Sequence, residues 1–378
     1  MKKFSGVEIC RFFCAFAVVI CHYQFFFAPG RWNIDLIQPS DRVLFPLYGI
    51  LSPLYDKGYF AVQVFWVISG FIFFWKYADA IHERSITAFK FAAWRFSRLY
   101  PLHFVTLIAI VLLQPVYQIN HSEPFIGGPN DLQHFLLQLV MASNWFSVDP
   151  TTFNVPIWSV SAEVLVYTVF FLVVFTVRPG IIMCASMVLL VKQVHHGIPW
   201  LECMEFFFAG GLVQRILSRI DAKYYAIAFC GAICVAATVI IRGQLGFAIG
   251  GTPLLLLSTS VVTAFSLLDT VVRRDTTMLN RLGDLTYASY LIHFPIQLAL
   301  VLIVDSIGIG RTVFTSPLML LFFVSVVFLS SALIYHRFEL PFQSIIRTRW
   351  YERFGRASGA APAPLRSSSF RWTSPRSR

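Results

Sequence analysis

The chain has 378 residues, 57% hydrophobic and 13% charged, with mean hydropathy +0.68 and a net charge of 30 − 19 = +11. A water-soluble domain is about half apolar and a quarter charged. This composition therefore excludes a soluble globular protein and reads as an all-α, polytopic integral membrane protein. The positive charge is concentrated at one end: from Ile345 onward eight arginines face one acid, Glu352, giving 8 − 1 = +7.

Windows of about 20 apolar residues place ten spans, near 7–27, 59–77, 100–117, 156–177, 180–195, 201–217, 224–241, 252–269, 286–305 and 315–336. The first reads as a retained span rather than a signal peptide, because it is long and no small-residue cleavage site follows it. A shorter apolar stretch, 132–140, is expected at the interface or re-entering it. With the N-terminus cytoplasmic, one face carries Lys2, Lys3, Lys76, Arg84, Lys90, Arg95, Arg98, Arg215, Arg219, Lys223, Arg273, Arg274, Arg281 and the basic C-terminal segment. The other face carries Arg31, Arg42, Lys57, Arg242 and Arg311. That asymmetry predicts an N-in, C-in orientation.

The first span holds two ionisable residues, Arg11 and His22. Eleven residues are three helical turns plus about 20°, so both project from one face, about 16.5 Å apart in depth. Charge inside a span is costly and marks function by default. The pair suggests a lined path, with histidine the usual proton acceptor near neutral pH. Ser5-Gly-Val-Glu8 has the form of a capping box, and Glu8 is placed to pair with Arg11.

The third span opens with Trp94-Arg95-Phe96-Ser97-Arg98-Leu99-Tyr100-Pro101. Two arginines three residues apart share a helical face and present a fork suited to phosphate oxygens, although topological anchoring alone also places arginines here. The fourth span enters with Ile157-Trp158-Ser159-Val160-Ser161-Ala162-Glu163. Ser159 and Glu163 lie one turn apart on one face, and a buried carboxylate needs a partner. In the ninth span, Thr286-Tyr287-Ala288-Ser289-Tyr290-Leu291-Ile292-His293 sets Tyr290 and His293 three residues apart, as supporting or acceptor-side groups.

Adjacent His195 and His196 diverge by about 100° on a helix and have no evident third ligand, so no metal site is expected. The seven cysteines (10, 14, 21, 184, 203, 230, 234) lie in or beside apolar segments and read as reduced packing residues. No P-loop, dinucleotide fingerprint, nucleophile elbow or H-E-x-x-H is present.

Six motifs follow one another in order. They are Arg11-x10-His22, Gly58-Tyr-Phe-Ala-Val-Gln-Val-Phe-Trp-Val-Ile-Ser-Gly-Phe71, Arg95-x-x-Arg98-x-x-Pro101, Ile157-Trp-Ser-Val-Ser-Ala-Glu163, Tyr287-Ala-Ser-Tyr-Leu-Ile-His293 and Phe338-Glu-Leu-Pro341. In order and spacing they resemble the membrane-bound acyltransferase 3 family, typified by bacterial O-antigen and exopolysaccharide O-acetyltransferases. The resemblance runs from about Ser5 to Phe342. It implies a transmembrane acyltransferase domain over 1–342 with ten transmembrane helices, while the arginine-rich, Pro/Ser/Ala-rich composition of 343–378 reads by itself as a disordered cytoplasmic tail. That tail suits the anionic inner leaflet better than nucleic acid, which is not expected as a partner.

The family moves acyl groups, usually acetyl from acetyl-CoA, to sugar hydroxyls across the membrane. Its first-helix arginine and histidine and its third-helix arginine pair match Arg11, His22, Arg95 and Arg98. The sequence departs from the family at Gln63, where an aspartate is usual, and at Val164, where an acid or aromatic is common. The expected function is an O-acyltransferase of the bacterial inner membrane, acting on a surface or exported carbohydrate such as exopolysaccharide, O-antigen or lipo-oligosaccharide. Arg11, Arg95 and Arg98 would hold acyl-CoA, the donor substrate, with no tightly bound cofactor. His22 and Glu163 would serve catalysis, with Ser159, Ser161, Tyr290 and His293 in support, and Glu163 or Ser159 orienting the sugar or the histidine. A transporter or flippase of a lipid-linked sugar is the alternative, disfavoured by the lack of an inverted repeat or paired broken helices.

Overall fold

The computed structural model describes residues 4–29, 37–146, 149, 151–194, 197–272 and 280–350. Every regular element among them is helical, and each expected apolar span falls on a helix. The main helices are α1 (Ser5–His22), α2 (Ala61–Phe73), α3 (Ala88–Gln118), α4 (Leu132–Leu139), α5 (Ile157–Thr176) and α6 (Ile181–Val194). They continue with α7 (Pro199–Leu217), α8 (Tyr225–Gln244), α9 (Thr252–Val272), α10 (Thr286–Ser306), α11 (Pro317–Ile334) and α12 (Leu340–Trp350).

Seven helical runs among the described residues are long and apolar enough to cross a membrane: those containing α1, α2, α3, α5, α8, α10 and α11. Helix α6 and the described part of α9 are apolar but shorter. Helix α7 carries Glu202, Glu205 and Arg215 among its 19 residues, which lowers its hydropathy. The stretch expected at the interface is α4, capped by the Asp131 carboxylate, which accepts from the His134 amide at 2.9 Å.

The expected tail needs one correction. Residues 343–350 belong to α12 and are helical rather than disordered, because this segment packs back along α3. Residues 351–378 lie outside the described residues, as do Lys2, Lys3, Arg31, His195, His196, Arg273 and Arg274.

Small residues set the tightest seam. On α2 Gly70 sits against the Phe207 carbonyl, and on α7 Gly210 sits against the Val67 carbonyl; a Cβ at either site would overlap backbone. Membrane helices gain little hydrophobic drive against each other, so such close backbone approach is how they bind. Aromatic rings fill the space alongside, with Phe73 meeting Phe170 and Phe207 edge-on at 5.5 and 5.4 Å. By contrast α8 is peripheral: only 11% of its apolar window is buried, and Cys230 and Cys234 on it are exposed. All seven cysteines are free, and the other five are buried.

Two ends of the bundle are distinguishable by their contacts. At one, Phe4 meets Trp75 edge-on at 5.0 Å and Arg215 pairs with Asp79 at 2.8 Å; this is the basic end. At the other, the Tyr23 hydroxyl donates to the Phe314 carbonyl at 2.9 Å. Two π-helical turns, Phe74–Ala78 after α2 and Tyr335–Glu339 between α11 and α12, both lie toward the basic end. Such wide turns concentrate at functional sites, and each delivers a residue to the arginines described next.

Candidate active site

A cavity of about 120 Å³ opens among α1, α2, α3, α5 and α10. Arg11, Arg95 and Arg98, read from sequence as one donor set, all line it, together with Glu163, Ser159 and Tyr290. Ser69, Tyr167, Thr286 and Tyr287 complete the polar lining.

The three arginines are held differently. Arg11 pairs with Glu8 at 2.9 Å, one turn before it on α1. The pair is pressed against Gly283, where any side chain would collide with Glu8. Arg95 donates to the Tyr77 hydroxyl at 2.6 Å, and its guanidinium lies 4.9 Å from the ring centres of both Phe73 and Tyr77. Its Nε is buried without a hydrogen-bond partner. Tyr77 reaches it from the first π turn. Arg98 makes no hydrogen bond or ion pair among the described residues; Glu8, Glu339 and the Tyr167 hydroxyl act on it only at longer range. A guanidinium can be neither deprotonated nor left dry cheaply, so an unpartnered one in a cavity is built to receive an anion.

Glu163 faces the same cavity from α5. The hydroxyls of Ser69 and Tyr167 lie against its carboxylate, while Arg98 and Arg11 act on it at longer range. Its Oε1 is buried without a hydrogen-bond partner. Ser159, one turn earlier, donates to the Pro156 carbonyl at 3.1 Å. That leaves its oxygen to accept from the Tyr290 hydroxyl at 2.7 Å. Ser161, expected as a supporting or acceptor-side group, is elsewhere: two residues on a helix turn the side chain by about 200°. Its Oγ accepts from the Asn144 amide at 3.0 Å, a structural role away from the cavity.

His22 ends α1 and does not line the cavity. Its Nδ1 lies 2.8 Å from Nε2 of His293 on α10, and Gln297, one turn further along α10, donates to the His22 carbonyl at 3.0 Å. The sequence leaves open whether Glu163 or Ser159 orients the sugar or the histidine, and the contacts of His22 bear on the histidine alone. Glu163 has no hydrogen bond to it and belongs with the arginines; His293 is the group in contact. Tyr290, one turn from His293 with ring centres 6.2 Å apart, stands between the cavity and the histidine layer.

Sequence reading missed one arginine. Arg347 on α12 donates from Nε to the Ser97 hydroxyl at 3.3 Å and from Nη2 to Gln343 at 3.2 Å. Ser97 separates Arg95 and Arg98 in sequence, so Arg347 adds to their positive field. The available signal was spacing: Glu339, Gln343 and Arg347 recur every four residues on one helical face.

The acyltransferase domain model of the acyltransferase 3 family matches residues 4–336. The acyltransferase MdmB of Streptomyces mycarofaciens is 32% identical over 168 residues, which cover 42% of this chain and 36% of that protein. No solved structure matches significantly. The family model spans nearly all the described helices, including every cavity-lining residue, and the chain belongs to the acyltransferase 3 family.

Proposed function

We infer that the protein transfers an acyl group, most simply acetyl, from acyl-CoA to a hydroxyl of a surface or exported carbohydrate across a bacterial inner membrane. The observation that carries the reading is Arg98, which lines the cavity with no anion among the described residues bonded to it. With Arg95 beside it and Arg11 across the cavity, it suits the phosphates of coenzyme A, where bidentate arginine contacts are strongest. A cavity of about 120 Å³ is well below the size that encloses a whole cofactor. It suits the acyl-pantetheine end of the donor, with the nucleotide at the mouth. The name of MdmB, an acyltransferase, favours acyl transfer over transport.

The basic end, with Lys76, Arg84, Lys90, Arg215, Arg219 and Lys223 near it, is the cytoplasmic side under the positive-inside rule. Ten membrane-crossing helices with both termini cytoplasmic fit this assignment, with α6, α7 and α9 as the three additional spans. Donor then enters from the cytoplasm, and His22 lies toward the acceptor side. His22 takes the acceptor hydroxyl's proton as that oxygen bonds to the acyl carbon. The carbon–sulfur bond breaks, and the proton passes to the departing thiolate.

The test is transfer of labelled acetyl from acetyl-CoA by protein reconstituted in bilayers, read by mass spectrometry of the glycan. His22→Ala should abolish transfer while leaving coenzyme A binding intact. Undiminished transfer removes His22 from the chemistry. A cell lacking the protein should lose one acyl substituent from its surface glycan; loss of the polymer itself would mean transport.

A further inference from the structure

The histidine pair carries more information than proximity. His293 is fully buried, 0% exposed, and its Nδ1 lies 3.1 Å from the Ser289 carbonyl one turn back on α10. A carbonyl only accepts, so this contact puts a proton on His293 Nδ1. A second proton would charge a ring with no carboxylate bonded to it among the described residues, at a high desolvation cost. The ring is therefore neutral, and its Nε2 carries a lone pair. Across the 2.8 Å contact the donor must then be His22 Nδ1, which in the neutral His22 ring puts the lone pair on Nε2.

We propose that His293 is a positioning residue that fixes His22 as its Nδ1–H tautomer and so makes Nε2 the proton-accepting nitrogen. This rests on the reading of His22 as general base. The division of labour is that of the Ser-His-Asp triad, in which a group accepting from Nδ1–H sets the tautomer of the base; here a neutral imidazole replaces the carboxylate. Gln297 anchors the His22 backbone from the same face of α10 at 3.0 Å, so one helix sets both the position of His22 and its proton.

Three measurements on the full chain test this. In protein labelled with ¹⁵N-histidine, the His22 ring, assigned with His22→Ala, should show its proton on Nδ1; a proton on Nε2 overturns the proposal. His293→Gln places an amide oxygen near the position of Nε2 and can still accept, so kcat should stay within about tenfold of the parent. His293→Leu cannot accept and should lose about 10²-fold or more in kcat, with KM for acetyl-CoA changed less than about twofold. Equal kcat for the two variants overturns the tautomer role. Should the leucine variant fail to bind coenzyme A and so prove misfolded, the spectrum and the glutamine variant still decide. Full activity of His22→Ala refutes the base itself. An inactive His22→Ala beside a fully active His293→Leu refutes only the part assigned to His293.

Discussion

Two arginines of this chain are treated in opposite ways. Arg311, at the end of the bundle away from the cavity, donates through Nη2 to the Tyr117 hydroxyl at 2.9 Å and to Asp305 at 3.2 Å, and lies 3.0 Å from His121 Nε2. The Tyr117 and His121 rings stack beneath it at 4.0 Å. Arg98 lines the cavity with none of these partners. A satisfied cluster stabilises the fold, tying the end of α3 to the segment after α10. An unsatisfied cation costs stability, and such a cost persists where a ligand repays it.

The sharpest break of this contrast is Arg98→Ala. Coenzyme A affinity, read by calorimetry, should fall by about 2–5 kcal/mol, the usual cost of truncating a buried hydrogen-bonded charge. Thermal unfolding of the ligand-free protein should be unchanged or raised, since the variant removes an unpartnered charge. Arg98→Lys should recover only part of the affinity, because an ammonium lacks the planar fork. Unchanged affinity in both would make Arg98 a topological anchor.

Arg311→Ala should do the reverse. Stability should drop by about 1.5–3 kcal/mol, the range for hydrogen bonds to charged groups, while coenzyme A affinity holds. A loss of affinity without a loss of stability would erase the distinction between the two ends. Gly70→Ala probes the wall between them: its methyl would meet the Phe207 carbonyl, and overpacking costs about 1–3 kcal/mol. Because α2 supplies Val62, Trp66, Ser69 and Phe73 to the cavity, donor affinity should weaken together with stability.

The sequence foretold the parts of this arrangement that depend on the cost of charge in an apolar run. Arg11 and Glu163 stood out for that reason, Arg95 and Arg98 for their spacing on one helical face, and all four meet in the cavity. Hydropathy reports depth but not which neighbour a side chain meets. The pairing of His22 with His293, across 271 residues, was therefore invisible. Ser161 was grouped with Ser159 although helical geometry alone sets them on different faces. Arg347 was hidden by composition: a basic run next to a Pro/Ser/Ala-rich terminus reads as disorder, whereas residues 340–350 keep a helical face against α3. Tyr77 and Glu339 sit on π turns, whose register no 3.6-residue pattern anticipates.

The smallest expected effect concerns Gln63, the position at which the family resemblance leads one to expect an aspartate. Its Nε2 donates to Glu202 Oε1 at 3.2 Å, joining α2 to α7, while its own Oε1 is buried without a partner. An amide suits that neighbour because it can donate. An aspartate beside Glu202 would set two carboxylates together, and like charges at such distances repel. Gln63→Asp should therefore lower thermal stability by about 1 kcal/mol, and adding Glu202→Gln should restore most of it, a coupling that a double-mutant cycle isolates. Neither change touches the arginines, so coenzyme A affinity should be the same in all four proteins. A single variant as stable as the parent would mean that the seam of Gly70 and Gly210, rather than the polar bridge, sets how these two helices meet.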